Sequence, residues 1–349
     1  MLKRLAFAVT CVVATAWGQS LIVATPRASQ RAVVVQRIGL TDITITYHRP
    51  TVNGRKIWGG IVPFGDVWRA GANENTTIEF SDPVTVEGQA IGNGVYGLHM
   101  IPSPEAWTVI FSKTSTAWGS FTYDKAEDAL RVTVKPAEGA MEEALTYSFD
   151  DVKPDSAVAT LRWEKLAVPF RVAVSKDVAI AKIRARMRGD AQYNWQGWDE
   201  AAQYCLSQKI DLDEAIKWAD RSIQAEKRFE NVMTKADILE ALNRTTEVAA
   251  LRSHAMEVGT VNQVYFYGRQ MQTQKQKEQA IAIYRNVAKR FPQHWLGHMA
   301  QARVDVADGD FEGAIREIKA AAAAGAPEQQ KANMDNLIER LEKKEDING

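Results

Sequence analysis

The densest group of chemically versatile side chains lies at positions 69–74. Arg69, Asn73 and Glu74 supply a guanidinium, an amide and a carboxylate, and Trp68 precedes them directly. The guanidinium only donates hydrogen bonds, the carboxylate only accepts them, and the amide does both. Aromatic rings stack on sugar faces and on the apolar parts of ligands. The pattern predicts a binding site for a small or carbohydrate ligand.

The surrounding stretch, Gly54 to Thr77, contains two Trp, five Gly and one Pro. It has too many Gly residues for a long regular element and too many large apolar residues for a solvated linker, so it predicts a fixed, irregular segment on a core. Two interpretations of its polar and aromatic residues remain open. Trp58 and Trp68 belong to a ligand site with the polar group, or both rings fill the core while Arg69 pairs with Glu74 as an internal lock.

A second aromatic loop spans residues 118–124 and contributes Trp118 and Tyr123 as further candidate ligand-binding residues. This loop either faces the first segment across a cleft or caps the fold. The complete set of candidate ligand-binding residues is Trp58, Trp68, Arg69, Asn73, Glu74, Trp118 and Tyr123.

No arrangement of nucleophile and base predicts a catalytic residue, and no cofactor is expected. The alternative is a hydrolase of envelope polysaccharide in which Glu74 works with Asp66 or Asp124, since two carboxylates can meet from distant parts of a chain. His294 and His298 have the spacing of a metal pair on a helix, but the sequence offers no third ligand in a known pattern. No metal site is therefore predicted.

The first half of the chain alternates apolar and polar residues with a period of two. Ile43, Ile45 and Tyr47 are a clear example, and about nine such short runs are separated by Gly and Pro. This pattern predicts an antiparallel β-sandwich or jelly-roll-like domain. The sequence Gly92 to Gly97 matches G-x-G-x-x-G, but it lies between two strand patterns and is interpreted as a hairpin turn at Asn93-Gly94.

The second half has a helical period and internal repeats. Aligned on Ala215, Ala249, Ala280 and Ala314, the segments recur at a spacing of 31 to 34 residues. The third, with Tyr267-Gly268, resembles the tetratricopeptide repeat. Such arrays stack helix pairs into a surface that receives a protein or peptide partner, although packing on the strand domain or self-association is the other possibility.

Whole-chain properties narrow the classes of function. The 43 basic and 43 acidic residues balance, so nucleic-acid binding is not expected. Residues 1–18 combine a basic start with a short apolar run and predict a signal peptide, hence an exported protein in the periplasm or outside the cell. No later stretch is apolar for long enough to insert in a membrane. Cys205 is the single cysteine after this peptide.

The strand domain resembles the exported bacterial family known as domain of unknown function 2911. The resemblance covers residues 25–174 and rests on Pro26-Arg27-Ala28-Ser29, on most of residues 54–74 and on Trp163-Glu164. It implies an exported location and frequent attachment to helical repeats, but no chemistry. The family usually places an apolar residue at position 99, which counts against His99 as a shared catalytic group.

These observations predict a two-domain, non-catalytic binding or assembly module. The expected divisions are a signal peptide at 1–18, a β-sandwich at 25–174, a connecting helix at 175–189, tetratricopeptide-like repeats at 190–325, and a capping helix and tail at 326–349.

Overall fold

A computed structural model describes residues 26–348, so the signal peptide predicted at 1–18 lies outside the described residues. The chain divides into two compact units between Ser175 and Lys176. The first unit consists of strands and the second of helices.

Among the described residues of the first unit, the chain forms ten strands. They span Gln30–Ile38 (β1), Thr41–Arg49 (β2), Thr77–Phe80 (β3), Val84–Val86 (β4), Gln89–Ile91 (β5), Gly94–Ile101 (β6), Trp107–Ser112 (β7), Asp128–Val134 (β8), Ala137–Asp150 (β9) and Ser156–Ala173 (β10). One sheet has the order β1-β2-β3-β6-β7-β8 and the other has the order β5-β4-β10-β9. Neighbouring strands pair antiparallel throughout. The unit is an antiparallel β-sandwich.

The period-two pattern determines which side chains face inward. In β2, Ile43, Ile45 and Tyr47 are buried while the intervening threonines are half-buried. Inward residues of both sheets form one apolar core. Burying alternate apolar side chains between two sheets is the main favourable contribution to the folding of such a domain.

The hairpin predicted at Asn93-Gly94 is wrong. The strands on either side of this turn, β5 and β6, belong to different sheets, so the turn carries the chain from one sheet to the other. The tight hairpin is instead at Glu87-Gly88, between β4 and β5. Both of its residues have positive φ, at 46° and 79°, as two-residue hairpin turns of this type require.

Ten α-helices make up the second unit within the described residues. They span Lys176–Arg186 (α1), Trp195–Gln208 (α2), Leu212–Ala225 (α3), Phe229–Ala241 (α4), Val248–Val258 (α5), Val261–Thr273 (α6), Lys277–Arg290 (α7), Trp295–Ala307 (α8), Phe311–Ala323 (α9) and Lys331–Glu342 (α10). Within residues 26–348, no helix is both long and apolar enough to cross a membrane.

The helices pack as successive pairs, α2 with α3, α4 with α5, α6 with α7 and α8 with α9, and α10 packs on α9. This is a tetratricopeptide-like array. Ala215, Ala280 and Ala314 are each the fourth residue of the second helix of a pair and are buried. The alignment on Ala249 is wrong, because Ala249 is exposed and Leu251 is the fourth residue of α5. A short 3-10 turn before α5 shifts the start of this helix.

Candidate functional site

The irregular segment between β2 and β3 lies on the core of the sandwich. Ile57, Val62 and Ala70 are buried in that core. Trp68 and Met100 exchange both backbone hydrogen bonds at 2.8 Å, which fixes the end of the segment to β6. Because the segment has almost no regular structure, these few anchors and its apolar side chains determine its path.

Four indole rings meet where this segment contacts the sandwich. Trp58 lies edge-on to Trp68, Trp107 and Trp163, at centroid distances of 5.8, 5.0 and 5.7 Å. Trp68 stacks on Trp163 with an angle of 18° between the rings. Trp58 and Trp68 are half-buried, whereas the other two rings are buried. Such aromatic pairs add to the free energy gained by burying their area.

A cavity of about 450 Å³ opens beside this tryptophan cluster. Its aromatic wall is formed by Trp68, Trp163 and Phe121, and its aliphatic wall includes Val62 and Pro63. The volume is within the range of small-molecule binding sites in proteins. The two aromatic loops predicted from the sequence therefore face each other across a cleft, through Trp68 on one side and Phe121 on the other.

Arg69 also lines the cavity, and its guanidinium is half-buried. Among residues 26–348 it forms no ion pair, and its buried Nε has no hydrogen-bond acceptor. Burial lowers the pKa of Arg69, with no opposing effect from a nearby acid. A desolvated cation without a partner is unfavourable in a folded protein.

Glu74 does not pair with Arg69, and so the internal lock considered from the sequence does not form. Its carboxylate accepts a 2.5 Å bond from Arg27 and lies 3.3 Å from His48 Nε2. Asn73 donates to the carbonyl of Ser29 at 3.3 Å. Trp118 lies under the Arg27 guanidinium, with 5.5 Å between the cation and the ring centroid.

Ser120, in the cavity lining, forms a hydrogen bond with His99, which was not predicted from the sequence as a site residue. Ser120 Oγ lies 2.9 Å from Nδ1 of His99, whose side chain is only 2 % exposed. Burial lowers the pKa of His99 to about 4, so the ring is neutral at neutral pH. Tyr123 packs on His99 at 5.5 Å and donates to Asp128 at 2.8 Å. Ser120 itself lines the cavity.

The seven sequence-predicted residues thus fall into three groups. Trp68 and Arg69 line the cavity, and Trp58 supports them from within the tryptophan cluster. Glu74 and Trp118 contact Arg27 beside the cavity, and Asn73 donates to the carbonyl of Ser29. Tyr123 belongs to the hydrogen-bond network behind Ser120. Sequence reasoning missed Phe121, Ser120 and Trp163 as cavity residues, although the first two lie inside the loop that it named.

The cavity offers no pair of carboxylates. Of the acids in residues 26–348, Asp66 is the one that lines it, whereas Glu74 is paired elsewhere and Asp124 caps a short 3-10 turn. Among the described residues, no group of three or more His, Cys, Asp or Glu is arranged to hold a metal ion. The lining contains the side-chain hydrogen-bond donors of Arg55, Arg69 and Ser120, which are suited to binding a molecule rich in acceptors.

The second unit contains two further polar features. Burial raises the pKa of Cys205 to about 11, so this thiol is not activated as a nucleophile. His294 caps α8 by accepting the backbone N–H of Leu296, and His298 Nδ1 lies 2.7 Å from Glu317. Each histidine therefore has a structural role within the array.

Together, the two units define a class of protein in which an antiparallel β-sandwich precedes a tetratricopeptide-like helical array. Residues 29–172, which make up most of the sandwich, match the family model described as "Protein of unknown function (DUF2911)". The resemblance inferred from the sequence is confirmed for this unit.

Comparisons with other proteins add little. No curated protein matches the chain. Among solved structures, the chain is similar to YrrB, described as "a TPR protein with an unusual peptide-binding site", with 12% identity over 46% of this chain and 83% of that chain. The TM-score is 0.27, which is too low to support any statement about ligand or partner.

Proposed function

We propose that this chain is an exported, non-catalytic binding module whose sandwich holds a small ligand in the cavity between the two aromatic loops. The observation that carries the proposal is the cavity itself, about 450 Å³ in volume, with a stacked pair of indole rings on one side and polar groups beside them. Apolar walls with a few converging polar groups are typical of ligand pockets.

The test fills the cavity without removing any polar group. Ala72 lines the cavity, so Ala72→Phe places a ring inside it, while Ala90→Phe adds the same ring at an exposed position on β5. Small glycans and small aromatic molecules are screened by thermal shift and by tryptophan fluorescence, since Trp68 would contact the ligand. A ligand should stabilise the wild type and Ala90→Phe but not Ala72→Phe. Equal stabilisation of all three chains would contradict the proposal.

A second function, docking of an extended peptide, is favoured by a cleft of the helical unit. The cleft is lined by Phe266 and Arg269 on α6 and by Trp295 on α8, and Arg269 is exposed while the Phe266 ring is 60% exposed. Exposed aromatic side chains beside an arginine are common where proteins bind partners. The inference rests on this cleft and not on likeness to another protein.

Peptides displayed on phage can test this second function. Selection on the immobilised full chain should enrich peptides that bind the wild type and Phe121→Ala, but lose at least tenfold in affinity for Phe266→Ala. The Phe121→Ala variant is the matched control, because it removes an exposed phenylalanine from the other unit. Selected peptides that bind all three chains equally would show that this cleft is not the docking site.

A further inference from the structure

The cavity of the sandwich has more hydrogen-bond donors than acceptors to match them. Arg69 Nε is buried and unpaired among the described residues. Trp163, which is 1% exposed and lines the same cavity, has an indole N–H that likewise finds no acceptor within residues 26–348. Buried donors are rarely left unsatisfied in folded proteins, because each loses its hydrogen bonds to water.

Nearby carboxylates do not satisfy Arg69. Glu74 is bound by Arg27 and His48, and Asp128 is bound by Tyr123 and by Arg131. Asp66 lines the cavity but is exposed, and it forms no ion pair with Arg69. The other cation in the lining, Arg55, already donates to the carbonyls of Thr51 and Val52. Arg69 is therefore the cation of this lining whose side chain has no hydrogen-bond or ion-pair partner among the described residues.

Gly119 lies beside the Arg69 guanidinium. The absence of a side chain at Gly119 leaves room for the guanidinium, since a Cβ there would collide with Arg69 Nη1. Next to it, Ser120 presents a hydroxyl that His99 fixes at 2.9 Å. The planar guanidinium of an arginine matches a carboxylate or a phosphate and binds it through two hydrogen bonds.

We propose that Arg69 binds the oxyanion group of a small ligand whose apolar body lies against Trp68 and Phe121. This inference rests on the proposed small-ligand function and adds the chemical class of the ligand. The oxyanion supplies an ionic partner for the half-buried Arg69 side chain, which has none among residues 26–348. The aromatic and aliphatic walls supply a surface for an apolar body, so a fully polar anion would use only part of the site.

Three matched probes separate charge from shape, namely phenylacetate, phenylacetamide and phenyl phosphate. Their affinities are measured by calorimetry on the full chain and on Arg69→Gln. Arg37→Gln is the control, because Arg37 on β1 forms an exposed ion pair with Asp42 on β2. A hydrogen bond to a charged group contributes about 1.5–3 kcal/mol, or roughly 10- to 100-fold in affinity. At least one anion should bind the wild type and Arg37→Gln at least tenfold more tightly than the amide does. In Arg69→Gln this preference should disappear.

The outcomes distinguish this inference from the proposed function. If the amide binds as tightly as both anions, the oxyanion inference is overturned while small-ligand binding stands. If the preference survives in Arg69→Gln but is lost in Arg55→Gln, the anion is bound by another cation and the assignment to Arg69 is wrong. If none of the three probes binds, both the inference and the cavity as a ligand site are contradicted. A preference for phenylacetate or for phenyl phosphate identifies the oxyanion.

The melting temperature of the protein without ligand provides a second, independent test of the role of Arg69. If Arg69 serves to bind a ligand, its half-buried and unpaired charge destabilises the ligand-free protein. Arg69→Met should therefore leave the melting temperature unchanged or raise it. A marked fall in melting temperature would show that Arg69 has a structural role instead.

Discussion

Gly119 connects backbone conformation to the proposed ligand contact. Its φ is +68°, and an added Cβ would collide with the Arg69 guanidinium. We expect Gly119→Ala to lower the free energy of unfolding by about 1–2 kcal/mol, because a left-handed conformation is unfavourable for alanine. It should also displace Arg69 and abolish the preference for anionic probes.

Gly54 is the matched control for this substitution. It has nearly the same φ, +67°, but nothing lies within 4 Å of the position that a Cβ would occupy. Chemical denaturation of Gly54→Ala should show a similar loss of stability, with the anion preference retained. Loss of the preference in both variants would mean that backbone strain alone, rather than contact with Arg69, disturbs the site.

His99 should make the sandwich sensitive to acid. Its pKa of about 4 in the folded chain lies below the ordinary value of 6.5, mainly because the ring is buried, and Asp128 opposes the shift. Protonation therefore favours the unfolded chain. Full stability is expected above pH 6.5, and up to about 3 kcal/mol should be lost as the pH falls from 6.5 to 4.

Urea denaturation of the wild type and His99→Gln across this pH range isolates the contribution of His99 to the pH dependence of stability. The other titrating groups are present in both chains. The pH dependence should be shallower in His99→Gln. Titration of the His99 ring near pH 6.5 in NMR spectra would contradict the prediction directly.

At the level of residues, the sequence pointed to a segment that lines the cavity but did not predict the partners of its side chains. Trp68 and Arg69 were predictable because aromatic and charged groups are concentrated in an irregular stretch. The hydrogen bond between Arg27 and Glu74 joins residues 47 positions apart. The hydrogen bond between His99 and Ser120 joins residues 21 positions apart. No local pattern reports such contacts, because they depend on how the loops fold back on the sheets.

Among the elements, the contact between α6 and α7 depends on a small residue. Gly268 is buried in α6, and a Cβ there would lie 2.8 Å from Cε1 of Tyr284 on α7. In an isolated helix, replacing glycine with alanine stabilises by about 1 kcal/mol. Here overpacking against a buried ring outweighs that gain, so Gly268→Ala should lower the free energy of unfolding by about 1–2 kcal/mol.

The control for this prediction is Gln270→Ala, at an exposed position of the same helix. Thermal denaturation followed by circular dichroism should show a change of no more than about 0.5 kcal/mol for the control. A Gly268→Ala variant that is more stable than the wild type would mean that the two helices separate easily at this point.

The period of the apolar residues predicted most elements correctly, and the failures have physical causes. The strand β5 has three residues, too few to show an alternation. Two of the short alternating runs, at 158–163 and 168–174, suggest separate strands but form one strand, β10, whose pairing with β9 shifts register on both sides of Glu164. Glu164 has a φ of +55°, and such an irregularity interrupts the alternation without ending the strand.

At the scale of the molecule, each unit has its own apolar core. The core of the sandwich contains residues of the first unit, and the cores of the helical array contain residues of the second. Units of about 150 residues bury enough surface to fold without help. We therefore expect residues 26–175 and 176–348, expressed separately, each to unfold cooperatively.

This separation also assigns the two proposed functions to different parts of the chain. Residues 26–175 should bind an anionic probe with the affinity of the full chain, because every residue assigned to the cavity lies in that unit. Residues 176–348 should bind the selected peptides but not the anionic probes. Denaturation curves and calorimetry on both fragments provide the measurement. If 26–175 folds cooperatively but loses the probe, then the site depends on the second unit, and the cavity alone is not the ligand site.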